Sequence, residues 1–476
     1  MNQYKRLGKN VGAMVIGNFV IKILSFFMVP FYMSILSTSE YGTADLITTT
    51  ITLILPVFSL LMDEAVMRFS LDKGNSSKQI FTTALKISTI GFGIAMICSP
   101  IILLFDMLRP YYWHFVIYYV SVWFYNLSAS YAKGQDKVVV LTIGGLIHSV
   151  LYISINIITL LFLKWRVHGY LLAISGSNLL TVLFFWGYFK FHKQIEFGER
   201  LDKNLARSMV RYSTPLIPNY MAWWVNNAAD RYILAAFSGS GVTGIYAAAF
   251  KIPTLLSSIT SLFASAWKIS AVDEFGSEKS IKFYNNVYGL YNSFLFISGA
   301  GLIFLTQIFA RLLYAKDFFI AWRITPILIF SYILSAQCLF LESIFTSSKK
   351  TKILFLASLV GAFVNVGLNL LLIPKYEGTG AAIATVIGYF VILCITIFCA
   401  RKILSMNFYL IKNSICYILL IVEIFLTLIN TVWSYGLAAV LVCAIILINI
   451  KELIALIRKF LNKRKVKMEA EIEANK

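Results

Sequence analysis

Charge is scarce in this chain, and acidic charge is scarcest. Only 13% of its 476 residues are Asp, Glu, Lys or Arg, and 22 acidic residues stand against 42 basic ones. So little charge, beside 59% hydrophobic residues and a mean hydropathy of +0.77, excludes an ordinary soluble domain. Long polar stretches are missing too. The longest break between apolar runs, about 192–210, is too short to hold a core. Strand-like alternation is missing from the apolar runs, which excludes a β-barrel. The six cysteines (Cys98, Cys338, Cys394, Cys399, Cys416 and Cys443) fall in apolar segments without metal-ligand spacing and read as small core residues. No small-residue cleavage site follows the first apolar segment, which is too long for a cleavable signal and reads as retained.

What the chain does have is a series of apolar stretches, each of the ~20 residues a helix needs to span a bilayer. Fourteen can be placed, near 10–35, 43–65, 81–105, 112–132, 138–163, 169–190, 212–236, 242–268, 283–308, 319–346, 353–373, 379–400, 410–430 and 434–457. The net charge of +20 is sorted by loop: roughly 30 Lys and Arg on one side and roughly 7 on the other. The rich side takes Lys5, Arg6 and Lys9, the run Lys190 to Arg211, Lys349 to Lys352, and the tail from Arg458 to Lys467. The poor side has Arg109, Lys164, Arg166, Arg311, Lys316, Arg323 and Lys375. This pattern places both termini in the cytoplasm. It also explains the basic charge as a topology signal, which argues against nucleic acid as a partner.

The chain repeats itself weakly. Glu40-Tyr41-Gly42-Thr43-Ala44 follows span 1, and Val242-Thr243-Gly244-Ile245-Tyr246-Ala247 follows span 7, both as short outer turns with a glycine. The exits of spans 4 and 10 (Ala132 to Lys137, Ser347 to Lys352) and the starts of spans 6 and 12 (Gly169 to Ala173, Gly380 to Ala384) echo in the same order. The expected fold is therefore all-α integral membrane, with about 14 transmembrane helices in two pseudo-symmetric six-helix lobes plus two C-terminal helices. The expected boundaries are 1–205, 206–405 and 406–457, with a basic cytoplasmic tail at 458–476. An even number of spans per repeat gives both lobes one orientation, with the substrate site expected where they face each other.

Three cations lie inside apolar segments: Lys22, Arg231 and Lys251. A Lys or Arg at the bilayer centre costs roughly 2.5–3.5 kcal/mol even on the mildest scale, so such residues face protein or a wet cavity. Cations without evident acidic partners suggest an anionic substrate. Lys22 lies about 12 residues into its span, or roughly 18 Å. Arg231 is nearer the outer face. Its neighbour Asp230 points off another helix face and is expected to find a different partner, with Lys251 a candidate.

A connected signature runs Tyr212-Ser213-Thr214-Pro215-Leu216-Ile217-Pro218-Asn219, Trp223-Trp224, Asp230-Arg231-Tyr232-Ile233, Gly244-Ile245-Tyr246 and Lys251-Ile252-Pro253. It resembles the bacterial polysaccharide transporter family, the O-antigen or capsule repeat-unit flippases of the multidrug/oligosaccharidyl-lipid/polysaccharide exporter superfamily. The stretch from Leu372 to Thr385 is similar to a second segment of that family. The resemblance implies a flippase, not an enzyme. It would move undecaprenyl-diphosphate-linked oligosaccharides to the outer leaflet of the cytoplasmic membrane by alternating access, with no cofactor. Polysaccharide polymerase and chain-length machinery are the partners it suggests.

For that task Lys22, Arg231 and Lys251 are the candidate diphosphate ligands, a Lys acting as a point charge and an Arg as a bidentate clamp. Amides and aromatic faces suit a sugar passage. Span 1 offers Asn18, and span 7 carries the strongest polar stripe: Asn219, Trp223, Asn226, Asn227 and Asp230. Weaker stripes are His148, Tyr152 and Asn156, then Thr254, Ser258 and Ser261, then Asn365 and Asn369; helix–helix hydrogen bonding is the rival explanation for each. Asp230, Glu342 and Glu423 are the candidate coupling or charge partners, and no metal site is expected. Three rival functions stay open: a cation-coupled multidrug exporter, a membrane-embedded polymerase or glycosyltransferase, and a scaffold. Predominantly basic mid-span charges disfavour the first, and the lack of a long outer loop or nucleotide-sugar motif disfavours the second.

Overall fold

A computed structural model describes residues 21, 24, 26–71, 76–195, 202–276 and 280–474. The described residues contain no strand. The helices are α1 (Phe26–Ile35), α2 (Thr38–Phe58), α3 (Met62–Ser70), α4 (Ser77–Cys98), α5 (Tyr112–Gly134), α6 (Val138–Asn156), α7 (Arg166–Phe189), α8 (Phe191–Gln194) and α9 (Lys203–Ser213). There follow α10 (Ile217–Ala249), α11 (Pro253–Glu274), α12 (Ser280–Phe304), α13 (Thr306–Leu313), α14 (Thr325–Ser347), α15 (Lys352–Arg401), α16 (Leu410–Ile429) and α17 (Val432–Ala474).

Among the described residues ten helical stretches are long and apolar enough to cross a membrane. Two of them, Lys203–Ala249 with 47 residues and Lys352–Arg401 with 50, are too long for one crossing, since ~1.5 Å per residue overruns a ~30 Å core twofold. Both double back. In α10 Gly239 has φ +79° and ψ 174°, a conformation open to glycine alone, and beyond it the Tyr246 hydroxyl returns to Asp230. In α15 the turn comes at Glu377 (φ +48°). A Cβ on Gly380 would lie 2.6 Å from the Leu372 carbonyl oxygen, and one on Gly388 3.1 Å from the Asn365 Cβ, so the two arms run antiparallel. Counted as two arms each, these folded-back helices bring the ten to twelve, and α1 and α5, which fall outside the ten, make the number compatible with the fourteen expected crossings.

The chain forms two compact units. The first comprises 1–248 with Leu313–Phe318. Helix α2 begins with a reciprocal cap: the Glu40 amide donates to Ser37 Oγ, and the Ser37 amide donates to Glu40 Oε2 at 2.8 Å. Its residues Ile47, Ile51 and Leu55, one turn apart, enter a core shared with α3, α4, α5 and α7. The expected span at 43–65 is thus shorter: α2 stops at Phe58, Leu60 and Leu61 both take left-handed φ, and α3 is a separate nine-residue helix. The polar break at 192–210 also holds more structure than its composition suggests. Asp202 caps α9, which buries Leu205, Ala206 and Met209 and turns Lys203, Arg207 and Arg211 outward.

The second unit comprises 249–312 and 319–476. Its aromatic core stacks Trp267 on Phe340 at 4.5 Å and Phe263 on Tyr291 at 4.5 Å. A buried polar chain ties three helices together. Tyr417 (α16) donates to Gln337 Oε1 (α14) at 2.6 Å, and Gln337 Nε2 donates to Asn292 Oδ1 (α12) at 3.1 Å. The C-terminal tail, expected only as a basic segment, continues α17 as helix to Ala474.

Candidate functional site

Helix α10 presents the span-7 stripe as two rows rather than one. At four-residue spacing, Asn219, Trp223, Asn227 and Arg231 share one face, and Asn226 and Asp230 share another. The first row is open: Asn219 is exposed, Trp223 is 57% exposed, and Asn227 and Arg231 are half-buried. The second row is closed, with Asn226 7% and Asp230 2% exposed. An exposed amide is costly in lipid, and the open row carries two amides, Asn219 and Asn227. Its backbone is reinforced from its own side chains: Asn227 Nδ2 donates to the Trp223 carbonyl at 2.7 Å and Arg231 Nη1 to the Asn227 carbonyl at 3.1 Å.

The charge at the top of that row is already engaged. Arg231 Nε lies 2.8 Å from Asp45 Oδ2 on α2, with both side chains mostly buried. This corrects the expectation of a cation without an acidic partner. Asp230 finds its partners within its own unit: it accepts from the Tyr246 hydroxyl at 2.5 Å and from the Arg231 amide at 2.9 Å. One arginine therefore sits beside two carboxylates. Around it the α2–α10 seam is polar along its length: Trp224 Nε1 donates to the Thr49 carbonyl at 3.0 Å, and the Tyr232 hydroxyl pairs with Thr50 Oγ1 at 2.5 Å. At the far end of α10 the Tyr220 hydroxyl donates to Glu64 Oε1 at 2.9 Å.

At the end of the seam next to the α10 kink, the two glycine motifs of the repeat meet. A Cβ on Gly42 would collide with the Ser240 carbonyl oxygen, and a Cβ on Gly244 with the Thr38 carbonyl oxygen. Each glycine thus meets the carbonyl four residues before its counterpart, the reciprocal pattern of two related motifs packed about a two-fold axis. Ser39 and Ser240 share a 2.6 Å hydrogen bond beside them. Glu40, besides capping α2, accepts both Nε and Nη2 of Arg166, and Lys316 Nζ donates to the Ser34 carbonyl at 2.6 Å.

The remaining candidates are placed as follows. Asn18 and Lys22 lie outside the described residues. Lys251 is not inside a continuous helix: residues 250–252 form a turn between α10 and α11, because Pro253 has no N–H and starts a new helix. The hydroxyls of Thr254, Ser258 and Ser261 donate to backbone carbonyls one turn before them. Asn369 donates to Asn365 at 2.9 Å and both are buried, as helix-packing groups are. Asn156 is likewise buried and donates to the Tyr152 carbonyl. Glu342 pairs with Lys268 at 3.6 Å. Glu423 is fully buried, and neither carboxyl oxygen has a hydrogen-bond partner among the described residues. Nor do those residues hold a cluster of three or more His, Cys, Asp or Glu that could bind a metal.

Asp45, Thr50, Tyr232 and Tyr246 were missed from sequence. Matching depth could have found Asp45, since it and Arg231 both lie near the outer ends of their spans.

A sequence profile described as polysaccharide biosynthesis protein matches residues 7–267, more than half of the chain. The chain belongs to that family. No curated protein matches it. Among solved structures it is similar to the lipid II flippase MurJ in an inward closed conformation, at 15% identity and TM-score 0.71, covering 94% of this chain and 99% of that one. It is also similar to an inward-facing multidrug resistance MATE family transporter of the MOP superfamily, at 14% identity and TM-score 0.68, covering 82% and 97%. A MOP superfamily transporter from Pyrococcus furiosus matches at 14% identity and TM-score 0.58, covering 84% and 95%. At these identities the likeness shows the fold. This member of the polysaccharide biosynthesis family has the all-helical fold of MOP superfamily transporters and is a multi-pass membrane protein.

Proposed function

We propose that the chain is a flippase for undecaprenyl-diphosphate-linked oligosaccharide repeat units. It carries them from the inner to the outer leaflet of the cytoplasmic membrane for O-antigen, capsule or exopolysaccharide synthesis, with both termini cytoplasmic and no covalent chemistry of its own. One observation carries the reading: a polysaccharide biosynthesis family member has the full-length fold of a lipid II flippase. The open row of amide, indole and guanidinium on α10 supports it, because such groups donate, accept and stack against sugars. Lys22, Lys251 and Arg231 serve the diphosphate, Arg231 once its Asp45 pair opens. In this cycle two six-helix lobes alternate, and the close Gly42–Gly244 approach forms the outer closure. Product passes to a polysaccharide polymerase and its chain-length machinery.

The test is translocation of a labelled lipid-diphosphate-linked oligosaccharide in proteoliposomes, wild type beside Lys22→Gln and Lys251→Gln. Transport by wild type and its loss in the variants supports both function and ligands; transport unchanged in the variants discards the ligands. Drug efflux in place of glycan transport moves the chain to the multidrug branch. A disulfide between Ser39→Cys and Ser240→Cys should stop transport until reduced, and free transport through the cross-link would sink the assigned closure.

A further inference from the structure

Between α2, α3 and α5 of the first unit lies a small cavity lined by Leu55, Ser59, Met62, Asp63, Trp123 and Asn126, with Leu127 beside them. Its volume is about 10 Å³, the room one water occupies. A lone water also needs two to four polar partners, and Ser59, Asp63, Trp123 and Asn126 offer them. The decisive member is Trp123. Its side chain is 5% exposed, yet its Nε1–H is buried with no hydrogen-bond partner among the described residues. A buried donor left without an acceptor costs on the order of 1–3 kcal/mol, so an unseen acceptor is expected there. A metal cation is the wrong occupant, because the indole N–H presents its positive end. Water fits, accepting from Trp123 and donating to a carboxylate.

We infer that this cavity is a proton-binding site: a single water bridges Trp123 Nε1–H to the Asp63 carboxylate, and Asp63 takes up a proton from bulk water through it. An O–H bond of a hydronium ion in bulk water breaks and one O–H bond forms on Asp63, the bridging water handing on one proton and gaining another. Asp63 lies beyond the ten membrane-crossing stretches, in the first turn of α3. Burial first, and the adjacent Glu64 second, push its carboxyl up to about 6, against the pull of backbone N–H groups and Lys133. The charged and titratable groups around it are Glu64 on α3, Lys133 on α5 and Tyr220 on α10. Lys78 and Lys86 on α4, and Lys203, Arg207 and Arg211 on α9, sit on the other helices packed against α3. The sign follows: the carboxyl is charged well above pH 6 and neutral well below it. Because Glu64 holds Tyr220 of α10, the charge on Asp63 bears on the contact between α3 and α10.

The site goes beyond the transport reading and is testable without substrate. Infrared difference spectra of the purified full-length protein, recorded between neutral and acidic pH, read a protonated carboxyl directly. A carboxylic C=O band should grow in with a midpoint above the ordinary aspartate value of 3.8 and towards about 6, and disappear in Asp63→Asn. In Trp123→Phe, which keeps the ring but removes the N–H, the water loses its anchor. Its hydrogen bond to the charged carboxylate weakens, and the midpoint should rise by about half a pH unit or more. A wild-type spectrum with no titrating band in that range, or a band that survives Asp63→Asn, would overturn the site. A midpoint unmoved in Trp123→Phe would overturn the bridging water, and this variant decides the matter even should Asp63→Asn fail to fold.

Discussion

Asp230 and Glu423 are both buried acids on apolar helices, but their surroundings treat them oppositely. Asp230 has the Tyr246 hydroxyl and the Arg231 amide on its oxygens, and an ion pair to Asp45 beside it. Glu423, on α16, is fully buried with both oxygens unpartnered among the described residues. Residue type alone therefore does not say what a buried acid contributes. Asp230 pins the returning arm of α10 to its first arm, so it holds the kink at Gly239. Glu423 is a cost the bundle carries, which makes it replaceable for stability.

The contrast is broken most directly by removing each side of it. Asp230→Leu should destabilise the purified protein by about 3–5 kcal/mol, because it strands the Tyr246 hydroxyl and disturbs a buried charge cluster. Denaturant unfolding in detergent would show it; a loss as small as that of a surface change would refute the anchoring role. Arg231→Leu should cost about 3 kcal/mol by leaving Asp45 uncompensated. The Asp45→Leu, Arg231→Leu double variant should recover much of that loss. Strict additivity in this cycle would mean that the 2.8 Å contact contributes no coupling.

Gly244→Val comes next, at about 1–3 kcal/mol, since its side chain must displace the Thr38 carbonyl from α2. The reciprocal change Gly42→Val should match it in unfolding assays, and unequal losses would weaken the two-fold reading of the contact. Glu423→Leu should raise stability by about 1–2 kcal/mol, the opposite sign to Asp230→Leu. A loss there would reveal a partner for the carboxyl. The smallest effect is Tyr232→Phe, about 0.6 kcal/mol, the ordinary worth of one hydrogen bond between membrane helices.

Much of this architecture was legible beforehand. The helical class, the crossings and the two glycine turns of the repeat all follow from local composition, because hydropathy acts on each segment separately. The misreadings have a common cause. Lys251 looks mid-span in a hydropathy window, but Pro253 interrupts the helix two residues later. For Asn365 and Asn369 the sequence left cavity and helix-packing roles both open, and the antiparallel arms of α15 bury them together. The span-7 stripe reads as one face at coarse helical spacing, whereas four-residue spacing puts Asn219, Trp223, Asn227 and Arg231 on one face and Asn226 and Asp230 on another.

The sequence by itself determined that this is a multi-pass helical membrane protein of a polysaccharide biosynthesis family. Such properties add up along the chain and need no long-range contact. Tertiary structure alone decided which charges are already spent. Whether Arg231 faces a substrate or Asp45 depends on the rotation and register of α10 against α2, fixed by the close approach of Gly42 and Gly244 far along the chain from each other. An ion pair works over a few ångströms, so only the fold can choose its partners.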